Sequence, residues 1–88
     1  MSYMVRLESA AERALKALPG DMLRRVDARL RTLAVNPRPQ GVKKLQAREG
    51  EGWRVRVGDY RILYTVDDAA HLISVYRIAP RACAYRRG

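Results

Sequence analysis

The stretch that decides the fold reads Trp53-Arg54-Val55-Arg56-Val57-Gly58-Asp59-Tyr60-Arg61-Ile62-Leu63-Tyr64. Apolar and cationic residues alternate before the central Gly-Asp pair, and successive side chains of a strand point to opposite faces of its sheet. Gly58-Asp59 is typical of a two-residue hairpin turn, in which glycine takes the position that needs a positive φ. The stretch therefore predicts two antiparallel strands with a shared apolar face.

The same turn predicts which residues lie opposite one another. Counting outward from it gives four pairs: Val57 with Tyr60, Arg56 with Arg61, Val55 with Ile62, and Arg54 with Leu63. Like charges directly opposite each other destabilise a sheet. We therefore interpret the face that carries Arg54, Arg56 and Arg61 as an open patch that holds an anion, with the helices covering the other face.

Charge composition favours a polyanionic partner. The 88 residues include 18 Lys and Arg against 9 Asp and Glu, which gives a formal net charge of +9. Such a surplus is typical of proteins that bind nucleic acid or another polyanion, whereas a merely solubilising surface usually mixes the two signs. RNA, DNA and an acidic protein all remain open as partners at this point.

Length and cysteine content predict one domain over residues 1–88 in the cytoplasm. A chain of this length forms one modest core. Cys83 has no second cysteine to pair with, which fits a reducing compartment. The start of the chain lacks a long apolar segment, so we expect neither a signal peptide nor a membrane span.

Periodicity in the first half predicts a strand and two helices. The strand covers residues 3–7, and Ser9 begins a helix with capping-box spacing that ends at Pro19-Gly20. Asp21 is expected to cap a second helix, which Asn36-Pro37 ends. Residues 38–52 then read as a polar connection, because they hold glycine, proline and two lysines.

Three strands are expected in the second half, near residues 53–57, 60–66 and 71–78. The resulting fold is α+β, with two N-terminal helices packed on one face of a mainly antiparallel four-stranded sheet, in the order β-α-α-β-β-β. The facing of the last strand stays open, because Leu72, Tyr76 and Ile78 form one apolar set and Ile73 with Val75 forms the other. A shift of one residue exchanges the two faces.

Several segments, taken together, resemble the RelE/ParE toxin superfamily of type II toxin–antitoxin systems. They are Asn36-Pro37-Arg38-Pro39, Gly41-Val42-Lys43-Lys44-Leu45, the hairpin stretch quoted above, and Arg81 with Tyr85. Gly58-Asp59-Tyr60-Arg61 is the most specific part, and the similarity covers nearly the whole chain. The resemblance to the RelE branch implies a toxin that cleaves messenger RNA in the decoding site of the ribosome, without metal or other cofactor.

The resemblance also implies a set of site residues. Arg61, Arg81 and Tyr85 would be catalytic, and Arg54 and Arg56 would bind RNA. Further RNA contacts are assigned to Lys43, Lys44 and Arg77. The alternative for the two lysines is that they belong to a solvated loop. ParE-like relatives inhibit DNA gyrase and generally lack the C-terminal tyrosine, so Arg81 and Tyr85 favour the ribonuclease branch.

The chemistry expected of such a site is in-line attack by the RNA 2′-hydroxyl. Fixed guanidinium groups of Arg61 and Arg81 would stabilise the extra negative charge on the phosphoryl oxygens. Many relatives have lysine where this chain has Arg54 and Arg56, and arginine cannot give up its proton. Tyr85 is then either the proton acceptor or an aromatic surface on which a base stacks.

The resemblance implies partners as well. These are the ribosome with its messenger RNA and an acidic cognate antitoxin. The antitoxin, and not the toxin itself, would contact operator DNA. A disordered acidic segment can wrap and mask a cationic surface. Two alternatives to the ribonuclease remain, a ParE-like gyrase inhibitor and a toxin fold that has lost activity and only binds its antitoxin.

Overall fold

The computed structural model describes residues 2–45 and 51–80, with the backbone alone at Glu51. In chain order the elements of these residues are β1 (Met4–Leu7), α1 (Ser9–Lys16), α2 (Gly20–Val35), β2 (Lys43–Leu45), β3 (Glu51–Val57), β4 (Tyr60–Asp67) and β5 (Leu72–Pro80). They form one sheet in the order β1-β5-β4-β3-β2, in which β1 runs parallel to β5 and the other pairs are antiparallel. The predicted α+β class is confirmed, with five strands in place of four.

The additional strand, β2, lies in the segment that was predicted to be a polar connection. It pairs with residues 52–54 of β3, so that Lys43 lies opposite Arg54 and Lys44 opposite Trp53. Lysine is depleted in strands, and local preference therefore gave no signal for β2. The strand forms because β3 offers an unpaired edge, and lysines suit an edge strand since they discourage pairing with another chain.

The helix starts differ from the prediction, whereas the end of α2 agrees with it. The N-cap residues are Glu8 for α1 and Pro19 for α2, and neither side chain makes a capping hydrogen bond. The predicted capping roles of Ser9 and Asp21 are therefore wrong, because both residues lie inside the first helical turn. Helix α2 ends at Val35, directly before Asn36-Pro37, as predicted. Neither described helix is long and apolar enough to cross a membrane.

The core lies between the two helices and one face of the sheet. Its buried members include Val26, Leu30, Leu33, Val55, Val57, Ile62, Tyr64, Val66, Ile73, Val75 and Ile78. The Tyr64 hydroxyl donates a hydrogen bond of 2.6 Å to the carbonyl oxygen of Pro37. Burial raises the pKa of Tyr64 to about 12, against a smaller opposing effect of Arg38. This bond ties the segment that follows α2 to the middle of β4.

A bulge in β5 resolves the ambiguous facing of the last strand. Leu63 lies opposite Arg77, and the next residue, Tyr64, lies opposite Val75, so Tyr76 is an extra residue in β5. One extra residue reverses the alternation of side chains. Ile73 and Val75 before the bulge and Ile78 after it consequently all lie in the core.

Candidate nucleic-acid interface

The sheet face opposite the core carries a group of cations on β2, β3, β4 and β5, and we call this group the basic face. Its members are Lys43, Arg54, Arg56, Arg61 and Arg77. The four predicted cross-strand pairs are confirmed, including Arg56 opposite Arg61 and Arg54 opposite Leu63. Directly paired residues share a face, so two rows cross the sheet: Lys43, Arg54, Leu63, Arg77, and Arg56, Arg61, Ala79.

Arg61 is the least accessible cation of the basic face. Only 3% of its surface is exposed, and Leu63 beside it is also buried. The prediction of a wholly open face is therefore wrong at these two positions. The Arg61 guanidinium makes no hydrogen bond or ion pair with the described residues, and its Nε is buried without an acceptor. Such a group is costly unless an anion satisfies it.

The bulge at Tyr76 also places Arg77. Without the extra residue, Arg77 would share the orientation of Ile73 and Val75 and would point into the core. With it, Arg77 lies opposite Leu63 on the basic face, where it is half-buried. Bulges occur often beside functional sites because they redirect a side chain in this way.

The remaining predicted site residues do not all lie on the basic face. Lys43 joins the basic face, whereas the exposed Lys44 lies on the opposite side with Trp53. An RNA contact of Lys44 stays a prediction that this placement does not favour. Arg81 and Tyr85 lie outside the described residues, and so their roles also stay predictions.

Sequence reasoning missed Arg6 as a cation of this side of the sheet. Arg6 of β1 lies beside Ser74 of β5, which in turn lies opposite Thr65 of β4, on the same side as the basic face. No local sequence pattern predicts this placement, because Arg6 reaches it only through the parallel pairing of β1 with β5.

A polar cluster fixes the segment that leads into β2. The Arg38 Nη2 donates to Asp68 Oδ2 at 2.6 Å, and the Tyr3 hydroxyl donates to Asp68 Oδ1 at the same distance. The hydrogen bond from Arg38, and then that from Tyr3, holds the pKa of Asp68 below its usual range. The Arg38 guanidinium also lies 5.6 Å from the centroid of a Trp53 ring, within the range of a cation–π contact. These contacts hold the chain before Lys43 in place.

Chemically, the basic face is suited to binding phosphoryl oxygens. Its arginines come from paired strands, so their backbone positions are fixed before any ligand arrives, and burial also restricts the side chain of Arg61. Cations fixed in advance favour strong electrostatic stabilisation. Among residues 2–45 and 51–80, no group of three or more His, Cys, Asp or Glu side chains is placed to hold a metal ion.

Comparison with known proteins agrees with this fold. Residues 5–85 match the family model described as the ParE toxin of the type II toxin–antitoxin system, parDE. The chain belongs to the RelE/ParE toxin superfamily. Among curated members of the superfamily it is 33% identical to Toxin RelE of Mycobacterium tuberculosis, over 96% of this chain and 87% of that protein.

Solved structures of the superfamily share the whole architecture. The chain superposes on the RelE–RelB complex of Pyrococcus horikoshii OT3 with a TM-score of 0.83 and 31% identity, over 96% of this chain and 100% of that one. The toxin–antitoxin complex RelBE2 of Mycobacterium tuberculosis gives a TM-score of 0.78 and 29% identity, over 92% and 100% of the two chains. The predicted membership and fold are thus confirmed.

Proposed function

We propose that this toxin is a metal-independent endoribonuclease that cleaves messenger RNA, with the decoding site of the ribosome as its place of action. The observation that carries the proposal is Arg61, which is 3% exposed and has no anionic partner among the described residues. It lies directly opposite a second arginine, Arg56. A phosphodiester supplies the missing negative charge for both groups. The relatives named RelE support the same branch of the superfamily.

The reaction follows from what RNA and fixed cations provide. The 2′-oxygen forms a bond to the adjacent phosphorus, the bond to the 5′-oxygen breaks, and the products are a 2′,3′-cyclic phosphate and a 5′-hydroxyl. Arg61 and Arg56 stabilise the charge that builds up on the phosphoryl oxygens. Arg81 is assigned to the same task. The proton of the 2′-hydroxyl goes to the phenolate form of Tyr85 or to water, and the leaving 5′-oxygen takes up a proton from water.

An acidic antitoxin is the proposed protein partner. The two solved relatives are each described as a complex of a RelE toxin with its antitoxin. The net charge of +9 favours a partner of opposite sign, since complementary charge speeds association and excludes wrong partners. Contact with operator DNA is assigned to the antitoxin alone.

The test is to map RNA 5′ ends after brief expression of the toxin, with the Arg56→Ala, Arg61→Ala double variant as the comparison. We expect in-frame cuts that recur with codon periodicity, a cyclic phosphate on the upstream fragment, and the loss of both with the double variant. Full toxicity of the double variant would refute the role of the basic face. An upstream 3′-hydroxyl with a downstream 5′-phosphate would refute the mechanism, because it requires an activated water.

The second candidate is a ParE-like inhibitor of DNA gyrase, which the description of the matching family model favours. The same expression experiment separates the two functions. Double-strand DNA breaks with intact RNA would establish gyrase as the target and would overturn the ribonuclease proposal. Growth without damage to either nucleic acid would indicate a protein that only binds its antitoxin.

A further inference from the structure

A cavity of about 290 Å³ opens beside the basic face, at the edge of β3. It is lined by Arg29, Gln40, Gly41, Lys43, Arg54, Val55 and Arg56. The four cations come from helix α2, strand β2 and strand β3, and none of the lining residues that the structure describes carries a carboxylate. A cavity of this size lies at the lower limit for small-molecule sites and suits one compact anionic group.

The cavity exists because β2 stops short of the end of β3. Lys43, the first residue of β2, lies opposite Arg54, so residues 55–57 of β3 have no described strand beside them on this edge. Arg54 and Arg56 belong to the basic face, whereas Val55 belongs to the core side. The cavity therefore extends around the edge of β3, and Arg29 reaches it from the flank of α2.

A turn before β2 keeps this edge open. The Val42 N–H donates to the carbonyl oxygen of Pro39 at 3.3 Å, and Gly41 between them has a φ of 100°, as the third position of a type II turn requires. A Cβ added at Gly41 would meet no atom within 4 Å. The turn thus leads the chain away from the free edge of β3 and leaves space in front of Lys43.

Three of the four cations that line the cavity have no counter-ion among the described residues. Arg29, Lys43 and Arg56 form no ion pair with residues 2–45 or 51–80, in contrast to Arg31, which bonds Asp27 at 3.1 Å on the other side of α2. Cations gathered without carboxylates repel one another. An anion that enters the cavity relieves this repulsion and accepts several charge-assisted hydrogen bonds.

We propose that this cavity is a second phosphodiester subsite, which receives the phosphate next to the one held at Arg61. The inference rests on the proposed ribonuclease function and specifies where the RNA strand leaves the cleavage site. Arg56 joins the two subsites, because it lines the cavity and lies opposite Arg61. Arg56 and Arg61 lie on neighbouring strands, which are about 4.8 Å apart. A phosphate at Arg61 and a phosphate in the cavity beside Arg56 are therefore close enough to be consecutive along one RNA strand. Arg29 is the residue that closes the subsite from the helix side.

The test compares Arg29→Gln with Arg24→Gln, a matched control on the same helix. Arg24 is exposed and lies outside the cavity lining, and both changes remove one positive charge. Affinity is measured over a series of salt concentrations with a short single-stranded RNA whose 2′-oxygens are methylated, so that no cleavage occurs. We expect Arg29→Gln to weaken binding and to reduce the slope of log affinity against log salt by about 0.7, and Arg24→Gln to leave the slope unchanged.

The other outcomes of this test would overturn the subsite alone or the subsite together with the proposed function. Equal effects of the two variants would show a general influence of net charge and would overturn the subsite. Inorganic phosphate is also tested as a competitor of the RNA. If Arg29→Gln changes only this competition and leaves RNA affinity unchanged, the subsite is overturned as well, because the cavity would then bind a free anion. If Arg61→Met weakens RNA binding while Arg29→Gln matches its control, the subsite fails and the proposed function stands. If the wild-type protein does not bind RNA, both fail.

Discussion

Replacement of Arg61 by methionine should make the free toxin more stable and, under the proposed ribonuclease function, abolish RNA cleavage. Methionine keeps an unbranched apolar side chain but removes the guanidinium. Only 3% of the Arg61 residue is exposed, and its Nε is buried without a partner among the described residues. Removing an unsatisfied buried donor contributes about 1–3 kcal/mol to the free energy of unfolding. Relief of the like-charge contact with Arg56 contributes about 0.2–1 kcal/mol.

Together these two terms predict that Arg61→Met raises the free energy of unfolding by roughly 1–4 kcal/mol. For a domain of this size each kcal/mol corresponds to about 4–8 °C in Tm, so the Tm should rise by at least about 4 °C. The assay is thermal and urea unfolding of the free toxin. Arg56→Met serves as the first comparison, since Arg56 is exposed and only the like-charge term applies to it. Arg24→Met serves as the second, and it should leave the Tm nearly unchanged.

The order of the three variants is the decisive result. We expect Arg61→Met to be the most stable, Arg56→Met to be intermediate and Arg24→Met to equal the wild type. A fall in Tm for Arg61→Met would mean that its guanidinium is already satisfied in the free protein. In that case Arg61 would have a structural role, and its charge would not be available to a phosphate.

Two further predictions concern tyrosines. The pKa of Tyr64 is about 12 in the folded chain and about 10 when unfolded, so its contribution of about 3 kcal/mol is complete below pH 10 and is lost as the pH rises toward 12. Tyr64→Phe should remove most of this alkaline loss in denaturant titrations, and an unchanged pH dependence would contradict the burial of the hydroxyl. If Tyr85 transfers a proton, Tyr85→Phe should slow single-turnover cleavage by about 10²–10⁴ with unchanged RNA affinity. If its ring only stacks on a base, Phe should match the wild type and Tyr85→Ala should lose about 1–3 kcal/mol of binding.

The hairpin was determined by the sequence alone. Strand alternation and the Gly58-Asp59 turn are local properties of consecutive residues, and together they set the register of β3 against β4. That register was enough to predict that Arg56 and Arg61 lie opposite each other. The two helices follow a similarly local period and were predicted for the same reason.

Tertiary structure decided everything that depends on which segments meet. Lys43–Leu45 becomes a strand because β3 has a free edge, and Arg6 reaches the side of the basic face because β1 runs parallel to β5. The bulge at Tyr76 reverses the alternation of β5, which no period-2 pattern can predict, and it directs Arg77 away from the core. The cavity closed by Arg29 joins a helix, a turn and a strand edge. These features come from long-range contacts, and the order of the amino acids specifies them only through the whole packed chain.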